Sequence, residues 1–241
     1  MYINENIRRI KVTMIKLIVT YSKSKEAIYL SHLNMLDVFE SSFKRAEIEL
    51  EYSDGFTKRP EIVFASPLSV GIESTGEILE IELKEKIDIP FFIREVNKVL
   101  PPAITILGAE YVKVNEKNIM ARVFASIYTI EIIYDDEIFK DKSVKEIEVY
   151  KKGYSDKLEK YLNQSRILID KEKQSNEEEK EKIDIKPKIK NYEFLFNGKL
   201  EITLDSGSNS NLKPDTVMQG FINYLNENIE YKIKREKIMF K

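Results

Sequence analysis

The sequence predicts an α+β fold that runs twice through the element order β-α-β-β-α-β. Three observations predict it. Short segments alternate apolar and polar residues with a period of two. Helix-spaced apolar stripes open at capping residues or prolines. Thirteen Tyr and twelve Phe with no Trp suit the half-buried faces of sheets.

In the first half, residues 14–22 place Ile15, Leu17, Val19 and Tyr21 on one face, as a strand does. Ser31 is a good N-cap for a helix carrying Leu33, Leu36, Phe39, Phe43 and Ala46. Asp54-Gly55 and Pro60 mark a turn or loop, and Ile62–Ala65 reads as a short strand. Ile78–Leu83 alternates, with Leu79, Ile81 and Leu83 inward and Glu80 and Glu82 outward. Pro90 fits the first turn of a helix with Phe92, Ile93, Val96 and Leu100, stopped by Pro101-Pro102. Ile104–Val112 is the last strand of this half.

The second half repeats the order. Ile127–Tyr134 is a strand, residues 154–163 form a helix, and 138–152 is ambiguous. Residues 171–182 are a charge-dense loop without apolar anchors. Tyr192, Phe194 and Phe196 face Leu200, Ile202 and Leu204 across Asn197-Gly198, a pair suited to a type I′ hairpin turn. Pro214 opens a helix with Val217, Met218, Phe221, Ile222 and Leu225, and Tyr231–Phe240 is the closing strand. The pattern is that of two tandem ferredoxin-like (βαββαβ) units with antiparallel sheets, over residues 14–118 and 119–241, behind an N-terminal extension of residues 1–13. No residue-level repeat accompanies it, and the two units could instead share one continuous sheet.

Composition narrows the chemistry. Zero Cys excludes disulfides, thiol nucleophiles, iron–sulfur clusters and cysteine-based zinc sites, and a single His excludes multi-His metal sites. Carboxylate-only Mg²⁺ or Ca²⁺ binding stays open, but no EF-hand loop or P-loop is present, and no metal or cofactor is expected. No apolar run reaches the roughly 20 residues that span a bilayer, and Lys11 and Lys16 interrupt any signal-peptide core. The expectation is a soluble, cytoplasmic protein with no membrane partner. A formal charge of −2 means that a nucleic-acid partner would need a local positive patch.

His32 is the one side chain of a type that titrates near neutrality. As a general base it would take a 2′-hydroxyl proton, while Tyr29, Ser31, Lys44, Arg45, Lys58 and Arg59 supply donors or charge for a phosphate. That describes a metal-independent endoribonuclease. The blander reading is a helix-start residue that bonds the neighbouring loop. The loop Ser-Asp-Gly-Phe-Thr-Lys-Arg-Pro is the favoured binding element. In it Phe56 can stack on a base and Lys58 and Arg59 can reach phosphates, with Tyr52 beside them. A connector whose Phe caps the core explains it too. Pro67–Glu77 could line a cleft or simply connect two strands. Lys234 and Arg235, with Lys186 and Lys188 on an earlier strand, could form a basic stripe or protect a strand edge.

Three segments, Ser31–Glu40, Lys44–Ser74 and Gly76–Leu83, resemble the radical-SAM-linked domain family, a bacterial group of unknown function. Weaker echoes lie at Glu181–Ile189, Leu212–Ile222 and Ile233–Glu236. The family usually has Asp where Asn34 stands, Arg near Asp37 and Ser41, and Asn at Thr57, which implies a weaker polyanion site here. The resemblance implies a radical-SAM/cobalamin-type protein as partner and, by analogy, an RNA or ribosome-related substrate. The expected function is therefore a non-catalytic binding or adaptor protein that presents such a substrate to a radical-SAM enzyme. The alternatives are the His32 ribonuclease and a pure protein–protein interaction module.

Overall fold

The computed structural model describes residues 14–54, 56–112, 117–170, 182–196 and 198–241. The expected extension 1–13, Gly55, Asn197 and all but the last residue of the charged stretch 171–182 lie outside the described residues. The first half runs β1 (Ile15–Lys23), α1 (His32–Arg45), β2 (Ile62–Phe64), β3 (Glu73–Leu83), α2 (Ile89–Val99) and β4 (Ile104–Tyr111). The second runs α3 (Ile119–Arg122), β5 (Val123–Ile133), α4 (Val144–Leu162), β6 (Leu168–Asp170), β7 (Lys182–Asp184), β8 (Ile189–Phe194), β9 (Leu200–Asp205), α5 (Pro214–Leu225) and β10 (Glu230–Phe240).

The result is a mixed α/β architecture with a mostly antiparallel sheet and five α-helices among the described residues. The first half's strands stand in the order β4-β1-β3-β2 and the second half's in the order β10-β5-β9-β8. Every pairing within a half is antiparallel. The halves share one sheet: β3 and β10 meet in parallel through Lys234↔Glu73 and Arg235↔Ser74. β6 and β7 form a separate two-stranded ladder.

The local causes are largely those read from the sequence. Ser31 Oγ accepts the Asn34 N–H at 3.2 Å and so starts α1, while Asp88 accepts the Phe91 N–H at 2.9 Å at the head of α2. α1 buries Met35, Phe39, Ser42 and Phe43, so its buried stripe begins two positions later than the predicted Leu33, which projects into solvent. Tyr21 meets Phe39 edge-on at 4.8 Å, and Phe43 stacks on Phe92 at 5.9 Å. Each fully buried ring of this kind contributes roughly 1.5–3 kcal/mol of transfer free energy. The second core gathers Tyr161 and Leu162 of α4 with Val217, Met218 and Phe221 of α5, and it also takes in Ile72 from the first half. A small cluster, Ala65, Ile119, Val123 and Ile238, is separate from both.

Three expectations are corrected and one ambiguity is resolved. β3 begins at Glu73, not at residue 78, because β10 pairs with its first residues. Gly76 lies inside it, where a β-carbon would stand 2.3 Å from the carbonyl oxygen of Glu236, so only glycine admits this approach. The ambiguous stretch 138–152 mostly belongs to α4, which starts at a capping box between Ser143 and Glu146. Lys186 and Lys188 lie not on a strand but in a 3-10 turn around Pro187, where the Lys186 ammonium bonds the Leu162 carbonyl. The hairpin is closed by Leu195 N–H to Lys199 O and Gly198 N–H to Leu195 O, 2.8 Å each, with Gly198 at φ +77°. That is a three-residue loop, not a two-residue turn, and it leaves Phe196 beyond β8 and fully exposed.

Candidate functional site

Strand alternation puts three charged residues at inward positions where β1, β3 and β10 come together. Lys23 follows Leu17, Val19 and Tyr21 on one face of β1, Glu77 pairs with Tyr21, and Arg235 follows Ile233 on β10. Their exposures are 2 %, 2 % and 1 %, respectively. The Arg235 guanidinium grips Glu77 with two bonds, Nε to Oε1 at 2.6 Å and a second from its terminal nitrogen, which also donates to the Ser66 carbonyl at 2.8 Å. Burial alone would weaken the guanidinium's hold on its proton. The facing Glu77 carboxylate outweighs that, and the pKa of Arg235 is raised. Lys23 donates to the Leu30 carbonyl at 3.3 Å, and burial lowers its pKa, with Glu77 opposing and Arg235 reinforcing the shift. Glu77 is thus paired with Arg235, while the nearby Lys23 is held by a carbonyl. This also corrects the reading of Arg235 as part of a basic stripe or a protected edge, because β10 is an interior strand between β3 and β5.

His32 stands over this cluster. Its ring meets Phe64 edge-on at 5.0 Å, and it rims a small pocket with Met35, Phe64 and Leu68 above a floor of Lys23 and Glu77. The cavity is only about 10 Å³, room for roughly one water. His32 itself is exposed, and among the described residues no hydrogen bond or ion pair engages its imidazole. Segments far apart in sequence, around His32, Ser66–Glu77 and Arg235, therefore meet at one place.

The other predicted site residues are divided among three places. Tyr29 and Ser31 flank His32, but Tyr29 faces a separate cleft of about 580 Å³ between the halves, beside Val70 and Lys234. Lys44 and Arg45 sit at the far end of α1, a 14-residue helix and so about 20 Å from His32. Arg45 is occupied there, donating to the Val99 carbonyl at 2.6 Å. Tyr52, Phe56, Lys58 and Arg59 belong to a loop at the Leu83 end of β3, tied down by the bridges Leu50↔Leu83 and Tyr52↔Pro60. The structure does not bring this loop against His32, which packs on Phe64, itself paired with Leu79 midway along β3. Within the loop, Ser53 N–H bonds Arg59 O at 2.9 Å and Arg59 N–H bonds Ser53 Oγ at 3.2 Å. Phe56 is fully exposed, Tyr52 is half exposed, and Lys58 and Arg59 point no charge at any carboxylate among the described residues.

Sequence reasoning passed over Lys23 and Glu77. The available signal was a charge at an inward position of an otherwise apolar strand face, three times over. No group of three His, Asp or Glu side chains among the described residues is placed to hold a metal ion, and no helix among them is long and apolar enough to cross a membrane.

A family described as an uncharacterized protein conserved in bacteria (DUF2344) has a model that matches residues 16–214. No curated protein matches the chain. Among solved structures, the crystal structure of an unknown protein from Galdieria sulphuraria is similar at 10 % identity, over 92 % of this chain and 98 % of that one, with a TM-score of 0.27.

Proposed function

Because the chain belongs to this bacterial family, we propose a function read from its own surface: a non-catalytic RNA-binding adaptor whose contact element is the loop Tyr52–Pro60. The observation that carries the reading is the display of Phe56. An unpacked phenyl ring stands at the tip of a loop closed by its own hydrogen bonds, with two free cations beside it. Such a loop offers a base a face to stack on and its phosphates two charges, without requiring a particular sequence. The scaffold behind it reads as two ferredoxin-like units fused edge to edge. Work beside a radical-SAM enzyme rests on the resemblance of Ser31–Glu40 and Lys44–Ser74 alone, and co-purification of the two proteins is its check.

Fluorescence anisotropy with a short labelled single-stranded RNA at low salt tests the binding role. Phe56→Ala is expected to weaken binding by about 5- to 100-fold, the loss of one base–ring stack. The double variant Lys58→Ala/Arg59→Ala should flatten the salt dependence by roughly one to two in slope. A wild-type protein that leaves the RNA free, or a Phe56→Ala variant that binds as well as wild type, overturns the reading.

One observation favours a metal-independent ribonuclease instead: the exposed His32 imidazole rims a pocket floored by an ammonium. RNA incubated in EDTA decides between the two. Cleavage that leaves 2′,3′-cyclic ends and vanishes in His32→Ala would replace the adaptor with an enzyme.

A further inference from the structure

A roomy cavity lies away from His32, in the second half, where α4 stands off the end of β5 and the β8–β9 hairpin. It is a cleft of about 670 Å³, within the usual range for a small-molecule site. Tyr134, Phe139, Phe194 and Phe196 give it aromatic walls. Glu131 is neutralised by Lys199 at 2.7 Å. Asp136, Glu148, Asp156 and Glu159 also line the cleft and form no ion pair among the described residues, against only Lys151 and Lys152. The cleft therefore carries a surplus of negative charge beside exposed rings.

One of those lysines is informative. Lys151 Nζ lies 5.6 Å from the centroid of Tyr134 and 5.5 Å from that of Phe139, within reach of both ring faces. Glu148 stands one turn away on the same helix, yet the ammonium sits at the rings. The chain's own alkylammonium group is thus held where the cleft ends in a pair of aromatic rings.

We propose that this cleft is a binding site for a linear alkylammonium ligand, and that Lys151 occupies its ring-lined end as an internal substitute. The ligand's first ammonium replaces that of Lys151 at Tyr134 and Phe139. Its methylene stem lies along Phe194 and Phe196, and its further ammonium groups meet the carboxylates of α4. A free polyamine and a lysine-rich peptide share this chemistry.

Isothermal titration of the full chain at low salt, with spermidine in one arm and trilysine in the other, tests the proposal. Wild type is expected to bind at least one of them, and the arm that gives saturable heat identifies the source. Lys151→Ala should bind about two- to fivefold more tightly, because no internal ammonium has to be displaced. Glu148→Gln/Asp156→Asn, both at exposed positions, should weaken binding by about fivefold or more, and Phe139→Ala should do the same, with circular dichroism confirming that each variant is folded. Flat titrations in both arms for wild type and Lys151→Ala overturn the proposal. So does a Lys151→Ala variant that binds no tighter than wild type, or magnesium chloride giving the same heats as spermidine at matched ionic strength.

Discussion

The two halves route their chains through strands in the same relative order, yet one is sealed and the other is open. In the first half, α1 and α2 lie flat on the sheet and interlock through Phe39, Phe43 and Phe92, which leaves under His32 a void fit for little more than one water. In the second, α4 buries residues only toward its C-terminal end, Leu158, Tyr161 and Leu162, while Val144 and Val149 remain in solvent and a wide cleft opens beneath its earlier turns. The charges follow the same division. The Glu77–Arg235 pair at the seam of the halves is sunk into the sheet and satisfied, whereas Asp136, Glu148, Asp156 and Glu159 around the open cleft form no ion pair among the described residues. The difference teaches that buried charge and available charge are separate properties, and that the segments with the most distinctive sequence need not surround the most accessible space.

The largest expected effect strikes the sealed region. Glu77→Ala should cost about 3–5 kcal/mol in urea unfolding, because it leaves the Arg235 guanidinium buried without its partner. A variant as stable as wild type would mean that the cluster is open to water, and the contrast would collapse. Matched ring truncations sharpen it: Phe43→Ala should cost about 3–5 kcal/mol, a cavity in a closed core. Tyr150→Ala, which removes edge contacts at 5.5–6.0 Å from neighbouring rings, should cost only about 0.5–1.5 kcal/mol. Equal losses would mean that the second half is as tightly closed as the first.

The smallest effect is a dependence on pH. Burial lowers the pKa of Lys23 below its ordinary value, so between the two values the unfolded chain binds the proton more often than the folded one. Stability from this group therefore rises as pH climbs toward about 10.5. Lys23→Met should flatten that rise relative to wild type, read from urea midpoints at several alkaline pH values. An unchanged slope would mean that Lys23 is hydrated and that the first half is less sealed than described.

Much of the fold could be read from local residues. The Ser31 cap, the Pro90 and Pro214 helix starts and the Gly198 hairpin all depend on chemistry within a few positions. What could not be read depends on distant partners. Pro67–Glu77 reads as a connection until β10 is placed against Glu73 and Ser74 and Glu236 against Gly76, and Lys234-Arg235 looks like an exposed pair until β10 is known to be interior. The candidate site divides in the same way. The loop Tyr52–Pro60 declared its ring and cations openly, whereas the void below His32 and the cleft under α4 depend on how closely each helix lies on the sheet. That spacing is set by tertiary packing and not by any short motif.

The central seam has a consequence for the order in which the molecule can be completed during synthesis. Glu77 and Arg235 are 158 residues apart, and β10, the last strand among the described residues, sits between strands made long before it. A nascent first half leaving the ribosome would hold a carboxylate whose counter-ion had not yet been translated. At about 5–20 residues per second, that interval lasts on the order of ten seconds or more. Closure of the middle of the sheet must therefore be a late, long-range event, and until then the growing chain presents the unpaired side of β3 to whatever is nearby.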